Sequence, residues 1–355
     1  MTDRTLNSIL EESRKLENLG KRQEAVDYLS TVIHEAQEEP LFLADLYNQR
    51  GFVKRMMQDY DEALSDFQAA RANAKFTSQK AAAYINMADI HRVAKGDAPA
   101  AHASLDKALE NAERWTVLEA KALDQRGMVF DYTEKKFPEA IREYRRAQRI
   151  CEDILENQPD NKEAENRFGQ VVLHLGYCYF EANDPALLPK AYETLNNALQ
   201  IFQKHDDRQG IMNTVTSLGR LAMHHKDYDG ALMQYQQAWK ILEETQHKGG
   251  ICSLALHLAE AYLVKINSDK TPDSPFDIPG KEHDGNESLV KRYLERLRDG
   301  IRQGELTVPS DAKALKDRFN NLAELYAASQ IAHVDGFEEV QKFFRMYDAK
   351  RKEKG

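Results

Sequence analysis

The sequence predicts an all-α protein, a solenoid of about eight stacked helical hairpins. Three observations carry this prediction. The segment QDYDEALSDFQAA at 58–70 recurs as KDYDGALMQYQQA at 226–238, with seven of thirteen residues identical. Small residues in the same local setting recur roughly every 40 positions. The 355 residues include only 17 Gly and 10 Pro against 30% charged residues, a composition typical of helix-rich proteins.

Alanine anchors mark the repeats. Each is followed four positions later by a large apolar residue and three positions after that by a small or β-branched one, as Ala63 is by Phe67 and Ala70. These steps place the three side chains on one helix face. The anchors are Ala25, Ala63, Ala101, Ala140, Ala191 and Ala231, at steps of 38, 38, 39, 51 and 40 residues. A repeat period of this length indicates a solenoid.

Glycines on the first helix of a hairpin predict a close approach to the anchor helix. They are Gly51, Gly127, Gly176 and Gly219. A larger side chain there would overpack the helix pair and cost roughly 1–3 kcal/mol. Asp59 and Glu62 predict an N-cap and its capping-box partner at the start of a second helix. Each hairpin is expected to bury its apolar face only against its neighbours.

The predicted domain is one solenoid over 1–355. Its hairpins cover approximately 6–40, 44–75, 82–114, 120–157, 163–206, 212–246, 252–303 and 312–349, followed by a frayed tail at 350–355. Pro185 and Pro189 are expected to lengthen the turn of the fifth hairpin, and Pro159 to separate it from the fourth. An acidic, proline-rich insertion at 266–287 interrupts the seventh. It is a partner-binding segment, a lid or a tolerated surface loop.

Composition and charge indicate a cytoplasmic protein. The net charge of −9 argues against broad nucleic-acid binding, which needs a basic surface. Cys151, Cys178 and Cys252 lie far apart without a CxxC spacing, as expected of reduced thiols. The N-terminus is charged throughout and carries no apolar signal core. No apolar run is long enough to span a bilayer.

Enzyme motifs are missing from the sequence, which has no GxGxxG, P-loop, GxSxG or HExxH. His224 and His225 are adjacent, so on a helix they point about 100° apart and make a poor metal pair. His257 and Glu260 could share a ligand, but no third partner has a matching spacing. The sequence therefore predicts a non-enzymatic protein without a metal or a cofactor.

The Gly-Tyr-Ala-aromatic-Ala frame resembles the tetratricopeptide repeat family, in the longer-helix variety of about 40 residues. The resemblance covers essentially the whole chain and is strongest at 44–74 and 212–242. The chain departs from the family pattern in lacking an early Trp on the first helix and, mostly, a closing Pro. The resemblance implies a right-handed superhelix whose first helices line a concave surface and bind an extended peptide or partner segment there.

Carried over position by position, the resemblance places polar side chains along this groove. They are Asp45, Asn48, Gln49, Arg55, Asn86, Lys121, Asp124, Gln125, Gln170, His174, Asn213, Ser217, Arg220 and His224. Asn48 and Asn86 occupy equivalent places, and an Asn amide can bond both N–H and C=O of an extended backbone. The alternative is that these residues are polar only because this helix face is exposed to solvent.

Two further surfaces give different predictions. The chaperone-tail clamp of some family members needs basic residues, but this chain has Glu17 beside Arg14 and has Val93 in the third hairpin, which disfavours a co-chaperone role. Arginines at i, i+3, i+4 and i+7 share one face of a second helix, on the predicted convex side. They are Arg142, Arg145, Arg146 and Arg149. They form either a docking site for an acidic partner or a solvated face balanced by nearby acidic residues.

The leading functional hypothesis is a protein–protein interaction scaffold or adaptor that binds a peptide or partner segment. The alternative is a bacterial-type regulator that responds to a signalling peptide by releasing or sequestering a partner. Such regulators usually carry an additional N-terminal effector module, whereas the repeat pattern here begins by about residue 6. The partner, the pathway and the oligomeric state do not follow from the sequence.

Overall fold

The structure is a computed structural model that describes residues 5–36, 41–245, 251–269, 283–302 and 322–323. The regular elements within these ranges are helical. They are α1 Leu6–Asn18, α2 Arg22–Glu35, α3 Leu43–Met56, α4 Tyr60–Asn73, α5 Thr77–Lys95, α6 Ala98–Asn111, α7 Val117–Met128, a π-helical turn Val129–Glu134, α8 Phe137–Asn157, α9 Lys162–Glu181, α10 Leu188–Lys204, α11 Arg208–His224, α12 Tyr228–Thr245, α13 Ile251–Asp269 and α14 His283–Arg302. The all-α class is confirmed.

The chain forms two compact units, Met1–Asn197 and Ala198–Gly355. The boundary between these two ranges falls inside the sequence of α10. In the first unit, consecutive helices pack as hairpins from α1/α2 to α7/α8. In the second unit, α11 pairs with α12 and α13 with α14. The predicted eighth hairpin at 312–349 and the tail at 350–355 lie outside the described residues, apart from 322–323. A single right-handed solenoid over 1–355 stays a prediction.

In several hairpins a glycine on the first helix packs directly against an aromatic ring on the second. All six anchor alanines are fully buried, and so are the large residues that follow them. A Cβ built on the glycine would lie far inside the ordinary carbon–carbon separation of about 3.5–4.0 Å. Its nearest ring atom would be 2.7 Å away for Gly51 and Phe67, 2.5 Å for Gly127 and Tyr144, and 2.5 Å for Gly219 and Tyr235. The predicted close approach is confirmed.

The π-helical turn accommodates one extra residue in the fourth hairpin. Gly127 precedes its ring, Tyr144, by 17 positions, whereas Gly51 precedes Phe67 by 16. Both pairs nevertheless make the same contact. A π turn is wider than an α turn and takes up a single inserted residue. The turn also brings the Asp131 side chain fully inside the protein.

Three predicted details need correction, and they are the capping of α4, the place of Pro189 and the extent of the insertion at 266–287. Asp59 occupies the N-cap position of α4 but makes no side-chain capping bond, and Glu62 instead pairs with Lys54 at 3.2 Å. The equivalent Asp227 does cap its helix, accepting from the Gly230 N–H at 2.9 Å.

The proline-containing segments are also partly helical. Pro185 lies in the turn between α9 and α10, as predicted, but Pro189 is in the first turn of α10. The predicted insertion at 266–287 was too long at both ends, because α13 continues to Asp269 and α14 begins at His283. Residues 270–282 lie outside the described residues.

Gly127→Ala should test the packing of the fourth hairpin. The added methyl would overlap the Tyr144 ring, so we expect the free energy of unfolding, measured by urea denaturation, to fall by about 1–3 kcal/mol. In a Tyr144→Leu background the same change should cost less, because Leu leaves space beside the alanine. An equal loss in both backgrounds, measured as a double-mutant cycle, would show that the ring is not what excludes the methyl.

Candidate functional site

The first helices of the hairpins in the unit Met1–Asn197 lie side by side. They are α1, α3, α5, α7 and α9, and each contacts the next one in this series. We refer to these five helices as the first-helix wall. Most of the predicted site residues lie on it, whereas Asn213, Ser217, Arg220 and His224 lie on α11 of the other compact unit.

Side-chain amides join neighbouring helices of the wall. Gln49 on α3 donates to Glu17 Oε1 on α1 at 2.7 Å, and Gln79 on α5 donates to Asp45 Oδ2 on α3 at 2.6 Å. Burial raises the pKa of Asp45, and the hydrogen bond from Gln79 opposes that rise. The predicted residues Gln49 and Asp45 therefore serve to connect the helices.

Asn48 and Asn86, which occupy equivalent places in successive repeats, are joined by a hydrogen bond. The Asn86 amide donates to Asn48 Oδ1 at 3.3 Å, and both side chains are half-buried. Each amide offers two N–H donors and one carbonyl oxygen. Within the described part of the chain, the Asn48 NH₂ and the Asn86 carbonyl oxygen have no hydrogen-bond partner. The pair therefore keeps one donor and one acceptor group for a ligand.

Two buried carboxylates organise the cations of the wall. Asp89 on α5 accepts hydrogen bonds from Arg55 and, at 2.6 Å, from Arg92. Asp124 on α7 accepts from His174 Nδ1 at 2.7 Å and from Arg167 Nη1 at 3.3 Å, both on α9.

The Asp124 carboxyl is ionised in this setting. Burial raises its pKa, but His174 and Arg167 more than offset this effect, so the pKa of Asp124 lies below its usual value. The prediction that Asp124 faces a groove needs correction, because its side chain is fully buried and serves to hold His174 and Arg167.

Lys121 lies on α7 between these two carboxylate clusters. Its ammonium has no hydrogen bond and no ion pair within 4.0 Å among the residues that the structure describes. Burial and the nearby Arg167 lower the pKa of Lys121 to about 8. Gln125, one turn further along α7 on the same face, likewise has no partner in the described ranges. These two half-buried side chains are therefore candidate ligand-binding groups.

Other predicted positions contribute less. Gln170 donates to Asn166 within its own helix at 2.9 Å. Ser217 is buried and donates to the Asn213 backbone carbonyl at 3.0 Å, so its predicted place in a groove needs correction. Arg220 is half-buried, and His224 is exposed with its ring edge-on to His225.

The arginine face of α8 is exposed but largely paired. Arg142 and Arg146 approach the two oxygens of the buried Glu143 at 3.3 and 2.9 Å. Arg145 donates to the Tyr179 hydroxyl at 2.9 Å. This pairing favours the solvated-face interpretation of the basic patch.

Buried sulfur and histidine groups offer little chemistry. Cys151 and Cys178 are free buried thiols, and burial raises the pKa of Cys151 to about 12. His257 is buried and stacks on Tyr235 with ring centroids 4.9 Å apart. In the described ranges no three His, Cys, Asp or Glu side chains come together as a metal site. None of the helices described there is long and apolar enough to cross a membrane.

Asp89 was missed at the sequence level, although the repeat contains a signal for it. Gly51 precedes its partner Phe67 by 16 positions, and Asp89 precedes Leu105 by the same interval. Ser13 stands in the same relation to Leu29 and is also fully buried. In these hairpins a leucine replaces the ring, and a polar side chain takes the glycine position.

Comparison with known proteins agrees with this geometry. A family model described as tetratricopeptide repeat matches residues 42–114, which contain the α3/α4 and α5/α6 hairpins. Residues 42–114 contain tetratricopeptide repeats. A search of curated proteins finds no significant match.

Solved structures share the tetratricopeptide fold at low sequence identity. A Rap protein complexed with competence and sporulation factor matches with a TM-score of 0.62 and 15% identity, over 100% of this chain and 89% of that one. Aspartyl phosphate phosphatase F from Bacillus subtilis has a TM-score of 0.55 and 13% identity, over 99% and 85%. A signal transduction ATPase with a tetratricopeptide repeat sensor, from Pyrococcus horikoshii, has a TM-score of 0.56 and 13% identity, over 91% and 44%. At these identities the likeness concerns the fold.

Like Lys121, Asp131 in the π-helical turn is an ionisable side chain without an ordinary hydrogen bond in the described residues. Neither carboxylate oxygen makes a hydrogen bond of ordinary geometry within the described residues, and the nearby Tyr144 hydroxyl is likewise unpaired. Burial raises the pKa of Asp131 to about 6, and Lys135 opposes the rise. The folded protein thus holds this proton more tightly than the unfolded chain does, so ionisation of Asp131 destabilises the fold as the pH increases.

Asp131→Asn should therefore stabilise the protein at pH 7.5 and have little effect near pH 4. Above pH 6 the full cost of the buried charge is removed, up to about 3 kcal/mol, whereas near pH 4 the wild-type carboxyl is already protonated when folded. Thermal and urea melts at both pH values measure the difference, with Asp153→Asn on the exposed face of α8 as the control. A stabilisation of the same size at both pH values would contradict the assignment.

Proposed function

We propose that the first-helix wall binds an extended peptide segment of a protein partner, and that the chain acts as a non-enzymatic interaction scaffold in the cytoplasm. The observation that carries the proposal is the Asn48–Asn86 pair, which keeps a donor and an acceptor on adjacent repeats. Lys121 and Gln125 extend the same surface with two further unpartnered polar groups. The tetratricopeptide fold is typical of proteins that bind protein or peptide partners.

The wall is rigid before a ligand arrives, and this rigidity supports binding. Arg55 is fixed by Asp89, and Arg167 and His174 are fixed by Asp124, so these side chains lose little rotamer entropy on binding. Association is opposed mainly by ordering of the peptide. We therefore expect micromolar affinity, about −8 kcal/mol, for an isolated short peptide.

Helix α11 of the unit Ala198–Gly355 carries a separate candidate surface. Asn213 is exposed, and Arg220 is half-buried three positions beyond the buried Ser217. We propose that this face contacts a partner independently of the first-helix wall.

A peptide-responsive regulator is the second candidate function. The favouring observation is the Rap structure, which was determined with competence and sporulation factor bound and which this chain matches over its whole length. A regulator of this kind would change conformation on binding and so release or sequester a partner. Small-angle scattering distinguishes the two functions, since a regulator compacts on binding a selected peptide, whereas a scaffold keeps its radius of gyration.

Asn48→Ala combined with Asn86→Ala should weaken peptide binding about tenfold without a change in stability. Loss of one or two net hydrogen bonds of roughly 0.5–1.5 kcal/mol each accounts for that factor. Octapeptides selected from a random display library with the wild type provide the ligands, and fluorescence anisotropy gives Kd for each variant.

The matched control is Asn73→Ala combined with Asn111→Ala. These asparagines lie on the second helices α4 and α6 of the same two hairpins and donate only to carbonyls of their own helices. Equal affinities for the wall variant and this control would remove Asn48 and Asn86 from the binding surface. If the folded wild type selects no peptide at all, the proposed function fails.

A further inference from the structure

We propose that the peptide recognised by the first-helix wall carries a carboxylate, and that Lys121 binds it together with Gln125. This inference rests on the proposed function and specifies the chemistry of its ligand. The carboxylate belongs to an Asp or Glu side chain or to a free C-terminus of the peptide, and the experiment below separates these sources.

The ammonium of Lys121 is influenced by charges on three other wall helices. They are Arg55 on α3, Asp89 on α5, and Arg167 and Glu163 on α9. Despite these neighbours it forms no ion pair within 4.0 Å in the described part of the chain. Its nearest charges influence it at longer range only.

The two buried carboxylates do not pair with it, since neither forms an ion pair with Lys121 within 4.0 Å and the oxygens of both already accept from other side chains. Each oxygen of Asp89 accepts from one arginine, Arg55 or Arg92. Each oxygen of Asp124 likewise accepts from one α9 side chain, His174 or Arg167. Lys121 is therefore the cation of this cluster that still needs an acceptor, and an external ligand is the available source.

The cluster is also locally positive, in a chain whose net charge is −9. Arg55, Arg92, Lys121 and Arg167 face only two buried carboxylates, and Glu163 on the exposed side reduces the excess without cancelling it. A half-buried excess of positive charge attracts an anion more strongly than a solvated one, because water screens it less.

A carboxylate fits this position better than a phosphate group does. Phosphate recognition favours the planar fork of arginine, with two parallel hydrogen bonds. Here Arg55 and Arg92 are held by Asp89, and Arg167 by Asp124. The remaining cation is a single lysine point charge beside the Gln125 amide, a pair suited to one carboxylate.

Binding of this kind is linked to pH through Lys121. With its pKa lowered to about 8, Lys121 is mostly charged at pH 7 and mostly neutral at pH 9. The other charged groups that act on it are Arg55, Asp89, Arg167 and Glu163. A ligand carboxylate favours the charged lysine, so affinity should fall as the pH rises from 7 to 9.

Four pools of N-acetylated random octapeptides test the inference. One pool contains Asp and Glu with an amidated C-terminus, one has Asn and Gln instead with a free C-terminus, one has both carboxylate sources, and one has neither. Each pool is passed over immobilised wild type, Lys121→Met or Lys80→Met, and retained peptides are quantified by mass spectrometry. Lys80 is the matched control, an exposed lysine on wall helix α5.

We expect the wild type and Lys80→Met to retain carboxylate-bearing peptides at least tenfold better than the pool without carboxylates. Lys121→Met should lose this preference while still retaining peptides, and its affinity should not change between pH 7 and 9. Methionine has a similar length and no charge to desolvate, so the variant is expected to melt no lower than the wild type. The pool that is preferred identifies the carboxylate source.

Two results would overturn the inference, and each has a separate meaning. If the wild type retains all four pools equally, or if Lys121→Met keeps the preference, the wall binds peptides but Lys121 does not read a carboxylate. If the folded wild type retains none of the pools and selects no peptide from the display library, the proposed function itself fails.

Discussion

The close packing of a first helix on its second, made in four hairpins by a glycine against a ring or a leucine, determines how the hairpins are built. At Gly127 the Tyr144 ring occupies the place that a methyl group would need, so the two helices approach as closely as their backbones allow. This contact joins a first helix to the second helix of the same hairpin, which carries the anchor alanine. Polar residues of the wall such as Asn48 and Lys121 lie on the same first helices and are only half-buried. The packing of the hairpins thus fixes the helices on which the candidate surface lies.

Variation at the glycine position changes the chemistry of the wall without changing the fold. In the first and third hairpins, where leucine replaces the ring, Ser13 and Asp89 take the glycine position, whereas Gly176 keeps it against Leu195 in the fifth. Asp89 then fixes Arg55 and Arg92, two cations from successive first helices. A buried carboxylate with both oxygens hydrogen-bonded tolerates burial because its charge is paired. The packing frame therefore also sets where charge can be placed on the wall.

The sequence predicted the features that depend on short-range periodicity. The anchors, the glycine contacts and the equivalent places of Asn48 and Asn86 follow from residues that recur in successive repeats. The sequence did not predict the burial of Asp124, since its partners Arg167 and His174 come from a helix 43 and 50 positions away. Neither did it predict the extent of α13 and α14, because charged and polar residues are as common at helix ends as in loops. The sequence signal of the π-helical turn is a single extra residue between Gly127 and Tyr144, which are 17 positions apart where Gly51 and Phe67 are 16.

Lys121 on α7 and Asp131 in the π-helical turn are ionisable groups whose burial disfavours the charged form. They differ in whether a ligand can offset this cost. Asp131 has its oxygens fully enclosed, so no ligand can reach it without a change in the turn itself. Lys121 is half-buried and lies on the wall, where an incoming acceptor can reach it. The cost at Asp131 is therefore a property of the folded chain alone, whereas the anion proposed to bind at Lys121 would recover the cost there. A group that is unsatisfied and accessible can convert lost stability into affinity, and this is why we propose Lys121, rather than the better-paired arginines around it, as the ligand-binding residue.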